Sequence, residues 1–432
     1  MKNYSPKVQK ALTGISVGDK IEIKRGKFVK QGVVLPRIEI GDKNCIVLKL
    51  DNGYNVGIKY QKGVQIKKLK GGKVKKLGKV NSKFKTEHDP DKPTISIIGT
   101  GGTIASRVDY KTGGVVPVSS AEDIVASIPE LAEIANLKCR VIMEKFSEDL
   151  DFSNYELIAK EVAKEIEKGC DGVIITHGTD TLHYTSAALS FAIQKTPVPV
   201  ILVGAQRSSD RGSSDAGFNM ICAAKFIRDS DFSGIGVCMH GSISDNYCTI
   251  HPGVKTRKLH TSRRDAFQSV NSNPYARIWE NGKIDIMREY PTSHGLKVNE
   301  KFNHNVGLLK VYPGISSEVL KAFKKMDGLV IEGTGLGHAP INNNEEFMKT
   351  LKSISKKIPV VMTSQCIWGR VNMNVYATGR VLQEMGVIPG EDMLPEVAMI
   401  KLSWLLANEP KNTKDLVGQN LVGEITERTE IC

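Results

Sequence analysis

The chain has 432 residues, 40% of them hydrophobic and 25% charged, with a formal net charge of +13. Such a length predicts two or three domains, and the balanced composition is that of a globular protein with sizeable cores. No apolar stretch approaches the roughly 20 residues of a membrane span, and Met1-Lys-Asn-Tyr-Ser5 lacks the apolar segment of a secretory signal. Eight cysteines run from Cys45 to Cys432 without a Cys-x-x-Cys pair, which speaks against a structural zinc site and for a reducing cytoplasmic setting. The basic surplus favours a polyanionic partner.

The first ninety residues hold short strand-like runs: Lys20–Lys24, Gln31–Leu35, Cys45–Leu50 and Tyr54–Ile58. Asp51-Asn-Gly53 is a hairpin signature, because a two-residue turn needs positive φ and Asn-Gly tolerates it. Several short strands with little helical periodicity predict a small β-barrel. Nine lysines then fall between Lys67 and Lys85, a solvated linker or a polyanion contact, before Asp89-Pro-Asp-Lys-Pro93 breaks the chain.

From Thr94 onward strands and helices alternate, the pattern of a parallel sheet covered on both faces. Thr94–Ile98 and Gly172–Ile175 are β-branched runs that each enter a glycine-rich turn. Ser120-Ala-Glu-Asp123 reads as a capping box before a helix with Ile124, Ile128, Leu131 and Ile134 on one face. Ser153-Asn-Tyr-Glu156 opens a second helix with Ile158, Val162 and Ile166 inward. Further strands are expected at Val200–Val203, Gly236–Met239, Val306–Leu309, Gly328–Ile331 and Pro359–Met362. Periodicity dissolves between Trp279 and Phe302. The resulting division is a β-barrel with a Lys-rich linker over 1–90, a larger α/β lobe over 91–290 and a smaller one over 291–432.

Neither glycine-rich turn suits a nucleotide. A dinucleotide fingerprint needs glycine where Ile104 stands, no Gly-Lys-Ser/Thr follows, and Gly333-Thr-Gly-Leu-Gly337 has His338 at the next required glycine. These glycines instead let backbone pass close to a small polar substrate. Thr103 lies in one turn and Thr179, beside Asp180, in the other. At the carboxyl ends of parallel strands they face one crevice. A threonine hydroxyl is a poor nucleophile until a base takes its proton, and a carboxylate can orient a lysine for that work. The pattern points to acyl transfer. His177 and His183 are six apart, which is not the i, i+4 pairing of a helical zinc site, so no metal is expected and both read as packing or hydrogen-bonding residues.

Thr100-Gly-Gly-Thr103-Ile-Ala together with Thr176-His-Gly-Thr179-Asp-Thr181 resembles the paired signatures of the bacterial-type L-asparaginase family. Ser364-Gln-Cys-Ile-Trp-Gly-Arg-Val-Asn-Met373 and Tyr376-Ala-Thr-Gly379 extend the likeness, which covers nearly all of residues 94–432. Ordinary asparaginases lack the preceding barrel. With it, Asp51-Asn-Gly-Tyr-Asn55 and Lys258-Leu-His-Thr-Ser-Arg-Arg-Asp-Ala-Phe267, the chain resembles the glutaminase subunits of the archaeal tRNA-dependent amidotransferases. The resemblance implies Thr103 as the acylated nucleophile and Thr179, Asp180 and Lys258 as a second relay. Position before the His-Thr-Ser-Arg-Arg run selects Lys258 over nearby Lys255. It further implies Ser147 at the substrate's α-carboxylate, Tyr110 on a lid near Thr103, and Gly102 in a turn whose N–H groups meet the oxyanion. Glutamine would be the amide donor and released ammonia would pass to a kinase/transferase partner subunit that converts Glu-tRNA(Gln). No cofactor is expected in this chain; ATP and magnesium would belong to the partner. A homodimer within a heterotetramer is the expected assembly. A free-standing cytosolic asparaginase is the alternative.

Overall fold

Alternating burial builds the first unit. In the strand Lys20–Arg25 only Ile21 and Ile23 are buried, the period-two pattern of a sheet with one wet face. The computed structural model describes residues 3–35, 42–50, 55–69, 88–101, 106–108, 115–117, 128, 130–207 and 214–428. Within the first unit, the strands Lys20–Arg25, Phe28–Val34, Cys45–Lys49, Asn55–Lys59 and Gln65–Lys68 form one antiparallel sheet. Their apolar faces enclose Val34, Ile46 and Leu48 with Tyr4, Val8 and Leu12, the last two from the helix Pro6–Ala11 and the turn that ends it. Lys49 pairs with Asn55, although the hairpin turn between them lies outside the described residues. The fifth strand was not expected. Gln65-Ile-Lys-Lys68 has one apolar side chain, as suits a lysine-bearing edge, and Lys68 meets buried Asp19 at 2.5 Å. Most of the lysine-rich stretch also lies outside the described residues.

The larger lobe is an eight-stranded sheet. Its strands lie in the order Ile284–Ile286, Ala276–Trp279, Tyr247–Pro252, Ile235–His240, Val200–Val203, Gly172–Thr176, Thr94–Gly99 and Asn136–Val141. The last five run parallel, and the first three extend the sheet antiparallel, which periodicity alone did not reveal. Alternation assigns the faces. Val173, Ile175 and Leu202 pack with the helices Phe152–Glu167 and Leu182–Ala192, while Ile174, Ile201 and Val203 pack with the helix Ala216–Asp229. Ile158, Val162 and Ile166 point inward as expected. The helix starts earlier than Ser153, because Asp151 accepts from the Asn154 amide and Asn154 answers as a capping box. The expected Ser120 capping box lies outside the described residues; Leu131–Ile134 is helical, with both end residues buried.

Four parallel strands, Val306–Lys310, Gly328–Gly333, Val360–Ser364 and Val387–Pro389, make the smaller lobe. The lobes share a core. Helix Pro395–Asn408 buries Val397, Ala398 and Leu405 among the side chains of Leu182–Ala192, and Trp404 stacks on Phe191 at 6.2 Å. Lys255 and Asp392, both fully buried, pair across the seam at 2.7 Å. Asn271 joins it by donating to the Gly369 carbonyl and accepting from the Gly369 amide.

Candidate active site

Two neighbouring parallel strands end at the same level. Gly99 lies in register with Thr176, and Thr100 donates to the Thr176 carbonyl from its amide at 3.1 Å and its hydroxyl at 3.0 Å. Both glycine-rich motifs therefore leave the sheet side by side, at its carboxyl edge. Gly101 has φ of +105°, and a Cβ there would stand 2.3 Å from the Lys145 carbonyl oxygen. Only glycine meets both demands.

After Thr176 the chain carries its polar side chains in different directions. Thr181 stands at the helix N-cap position but makes no capping bond; its hydroxyl donates to the Ser147 carbonyl at 2.5 Å. Thr179 does not cap either. Its hydroxyl accepts from Lys258 Nζ at 2.8 Å, and the same ammonium donates to Asp180 Oδ1 at 2.7 Å. Lys258 ends the strand Thr256–Lys258, held in register by pairing with Phe267–Ser269. Its side chain is only 9% exposed, whereas that of Asp180 is 65% exposed, so the amine is buried against the hydroxyl with its counterion at the mouth. Lys255 points the other way, into the lobe seam, and leaves Lys258 as the amine that reaches Thr179.

A neutral relay fixes the intervening peptide. His177 Nδ1 donates to the Gly178 carbonyl at 2.6 Å, and its Nε2 accepts from the Thr185 hydroxyl at 2.8 Å. Thr185 is also bonded to Tyr155, whose hydroxyl pKa is pushed up by burial. Full burial lowers the His177 pKa to about 4, so the ring stays uncharged. Ser147, buried in the short turn Ser147–Asp149, lies against Gly178, where a Cβ would approach its side chain to 2.9 Å. Behind Lys258, Glu396 stands in the first turn of Pro395–Asn408, with Oε1 3.5 Å from Arg257 Nε and 3.7 Å from His183 Nε2. Burial pushes the Glu396 carboxyl up and, with Arg257 and Lys258 nearby, the His183 imidazole down to about 3.

The structure thus brings Thr179, Asp180, Lys258 and Ser147 together. Thr103, Gly102 and Tyr110 lie outside the described residues. Sequence reasoning did not select Glu396, Arg257 or Asp392, since each acts across the lobe seam and no short motif joins it to its partner. A hydroxyl, an amine and a carboxylate in hydrogen-bond contact can pass a proton, which is the chemistry that attack on a carboxamide or ester needs.

Three family models match the chain: a GatD N-terminal domain over residues 15–69, an asparaginase N-terminal domain over 94–292 and a glutaminase/asparaginase C-terminal domain over 305–416. The chain is 47% identical to the D-type subunit of the glutamyl-tRNA(Gln) amidotransferase from Pyrococcus furiosus, across 96% of both proteins. It is 44% identical to the protein of the same name from Methanobrevibacter smithii, across 97% of this chain and 96% of the relative. Among solved structures, the thermostable L-asparaginase from Thermococcus kodakarensis superposes with a TM-score of 0.69 at 33% identity. It covers 77% of this chain and 99% of its own. L-asparaginase I from Vibrio cholerae gives 0.68 at 30% identity, covering 78% and 99%.

Proposed function

The chain belongs to the asparaginase family, and from that membership we propose that it is the glutaminase subunit of a tRNA-dependent amidotransferase. The Lys258–Thr179–Asp180 contact at the carboxyl edge of the sheet carries this reading. The GatD N-terminal domain separates it from a free-standing asparaginase, whose solved relatives account for about three quarters of the chain.

In the proposed reaction Thr103 attacks the side-chain carbonyl of glutamine, and N–H groups of the Gly101-Gly102 turn stabilise the oxyanion. Each such donor is worth about 3–4 kcal/mol. Collapse expels ammonia and leaves a threonine ester, which water cleaves to glutamate. Lys258 moves the protons through Thr179, and Asp180 restores its charge balance between steps. Ser147 holds the α-carboxylate and Tyr110 closes over the substrate.

Ammonia then serves a partner subunit, which acts on Glu-tRNA(Gln) with ATP and magnesium of its own. Two copies of this chain within a heterotetramer are the proposed assembly. The charge of +13 suits a complex that handles tRNA. Cys45, Cys139, Cys170, Cys222, Cys238, Cys248 and Cys366 are unbridged, in keeping with a cytoplasmic setting. Among the described residues no helix is long and apolar enough to cross a membrane.

Ammonia release from glutamine, measured with and without the partner and Glu-tRNA(Gln), tests the proposal. Weak basal release that rises with both supports it; rapid asparagine turnover by the chain alone favours the asparaginase reading. Thr103→Val should abolish release while leaving tRNA association through the complex unchanged, and retained release removes Thr103 as nucleophile.

A further inference from the structure

Charge is divided unevenly along the chain. Residues 1–93 hold 23 lysines and arginines against 8 acidic residues, whereas residues 94–432 hold 37 against 39. The α/β lobes are therefore close to neutral, and the whole basic surplus lies in the N-terminal unit and the stretch after it. A polyanion attracted to this protein is drawn to that end.

Within the N-terminal sheet, the hairpin of Lys20–Arg25 and Phe28–Val34 reaches beyond its neighbour. Cys45–Lys49 pairs with its second strand at Val33 and Val34, so Phe28–Gly32 extend past that ladder. The tip is the two-residue turn Gly26-Lys27, where Gly26 has φ of +56°. Lys24, Arg25, Lys27 and Lys30 are exposed there, and so are two apolar side chains, Phe28 by 47% and Val29 by 43%. Arg25 stands opposite Phe28 in the ladder, and Lys30 shares the Phe28 face by alternation. Arg25 also donates to Gln61 Oε1 at 2.5 Å, which brings the turn bearing exposed Lys62 to the same end of the sheet.

These cations are not neutralised. Among the described residues none of Lys24, Arg25, Lys27, Lys30 and Lys62 pairs with a carboxylate, because the acids of the unit are engaged elsewhere. Asp19 meets Lys68 at 2.5 Å and Asp42 meets Lys59 at 3.4 Å. Glu22 accepts from Gln31 at 2.7 Å and lies opposite Lys67.

We propose that this hairpin tip binds a single-stranded segment of RNA, with a base stacked on Phe28 and phosphates held by Arg25, Lys27 and Lys30 around it. The inference deepens the reading above and rests on it for the choice of RNA among polyanions. An exposed ring amid unpaired cations suits unpaired nucleotides, since every base has a flat π face and every linkage a negative charge. A duplex keeps its bases stacked on one another and gives the ring nothing to hold. Lysines count against a protein partner, because the buried centres of such interfaces are depleted in them.

Fluorescence anisotropy of a labelled oligouridylate of about 12 nucleotides, titrated with the full chain, tests the site. Saturable binding is expected, weakened roughly fivefold or more in Phe28→Ala. That variant should bind an RNA duplex as the wild type does. Lys27→Ala with Lys30→Ala should reduce the slope of log affinity against log salt by about 1.4. The same double change at Lys356 and Lys357, exposed on the smaller lobe, should leave the slope unaltered. No saturable binding, full affinity in Phe28→Ala, an equal loss with the duplex, or an unchanged slope at Lys27 and Lys30 overturns the proposal. RNA affinity that survives Phe28→Ala while binding to phosphatidylglycerol vesicles or to the partner subunit is lost assigns the tip to a membrane or a protein instead. None of these side chains belongs to the amide-cleaving site, so ammonia release without RNA should be the same in every variant. A wild-type chain that binds RNA through Phe28 yet releases no ammonia supports the hairpin site and removes the glutaminase reading.

Discussion

Lys258 and Thr179, 79 residues apart in the chain, meet at 2.8 Å, and the lysine reaches that hydroxyl with its ammonium almost wholly out of water. Lys258→Met should therefore lower ammonia release by about 10²–10⁴, the usual worth of general-base help. Lys258→Arg should keep the ion pair with Asp180 yet stay nearly as inactive, because a guanidinium does not give up its proton at working pH. Initial rates with saturating glutamine check both. Activity in the methionine variant would remove Lys258 from the chemistry.

His177 acts at one remove, by holding the Gly178 peptide between Ser147 and Thr179. His177→Leu leaves the Thr185 hydroxyl and the Gly178 carbonyl without their partner, and each orphan should cost about 1–3 kcal/mol. Urea midpoints measure the loss. His177→Asn, which can still donate to one neighbour and accept from the other, should recover part of it; no difference between the variants would contradict the relay.

Four buried histidines set an acid limit, His240 among them, its pKa lowered by burial. Burial, which disfavours the charged ring, lowers the His177 pKa to about 4 and those of His183 and His251 to about 3, from the usual 6.5. Between pH 6.5 and those values the unfolded chain binds protons that the folded chain refuses, so stability falls as pH drops through this window. For His177 the full loss is about 3 kcal/mol at roughly 1.36 kcal/mol per pH unit. Glu396 works in the opposite sense: its raised pKa favours the folded state at acid pH and costs stability as pH rises above 4.5. The four histidines, joined by Glu161, Glu165 and Asp245, whose carboxyls are held low by ion pairs and hydrogen bonds, outweigh Glu396 and predict net acid destabilisation, measured as a fall in denaturation midpoint from pH 7 to pH 4. A flat profile would refute it.

The seam pair offers a sharper stability test. Lys255→Met leaves buried Asp392 with only the more distant Arg370, at 3.7 Å, as a cation and should cost up to about 3–5 kcal/mol. The double variant Lys255→Met with Asp392→Leu should lose less than the two single losses combined. It will not return to wild type, because Thr426 also donates to Asp392 from its amide and hydroxyl. A double-mutant cycle with no coupling would show that the pair does not act as one.

Much of the fold was legible because local chemistry and tertiary context agree. Runs such as Gly172–Thr176 are apolar throughout since both faces are covered, and glycine-rich turns mark where they leave the sheet. What escaped reading depends on distant contacts. Tyr247–Pro252 joins the sheet antiparallel, a direction its composition does not encode, and the cap at Asp151 competes with the equally plausible Ser153. The choice of Lys258 over Lys255 rests on the neighbouring His-Thr-Ser-Arg-Arg run, not on local chemistry. Two lysines of one type, three residues apart, are told apart physically by what faces them: a buried aspartate from the second lobe, or a hydroxyl at the sheet edge.

That same aspartate makes the two lobes thermodynamically inseparable. Were residues 94–292 produced by themselves, the Lys255 ammonium would enter an apolar interior with no anion, and the helix Leu182–Ala192 would lose its cover from Pro395–Asn408. A stop codon anywhere between residues 293 and 391 should thus abolish amide cleavage even though none of the residues proposed to perform it has been lost.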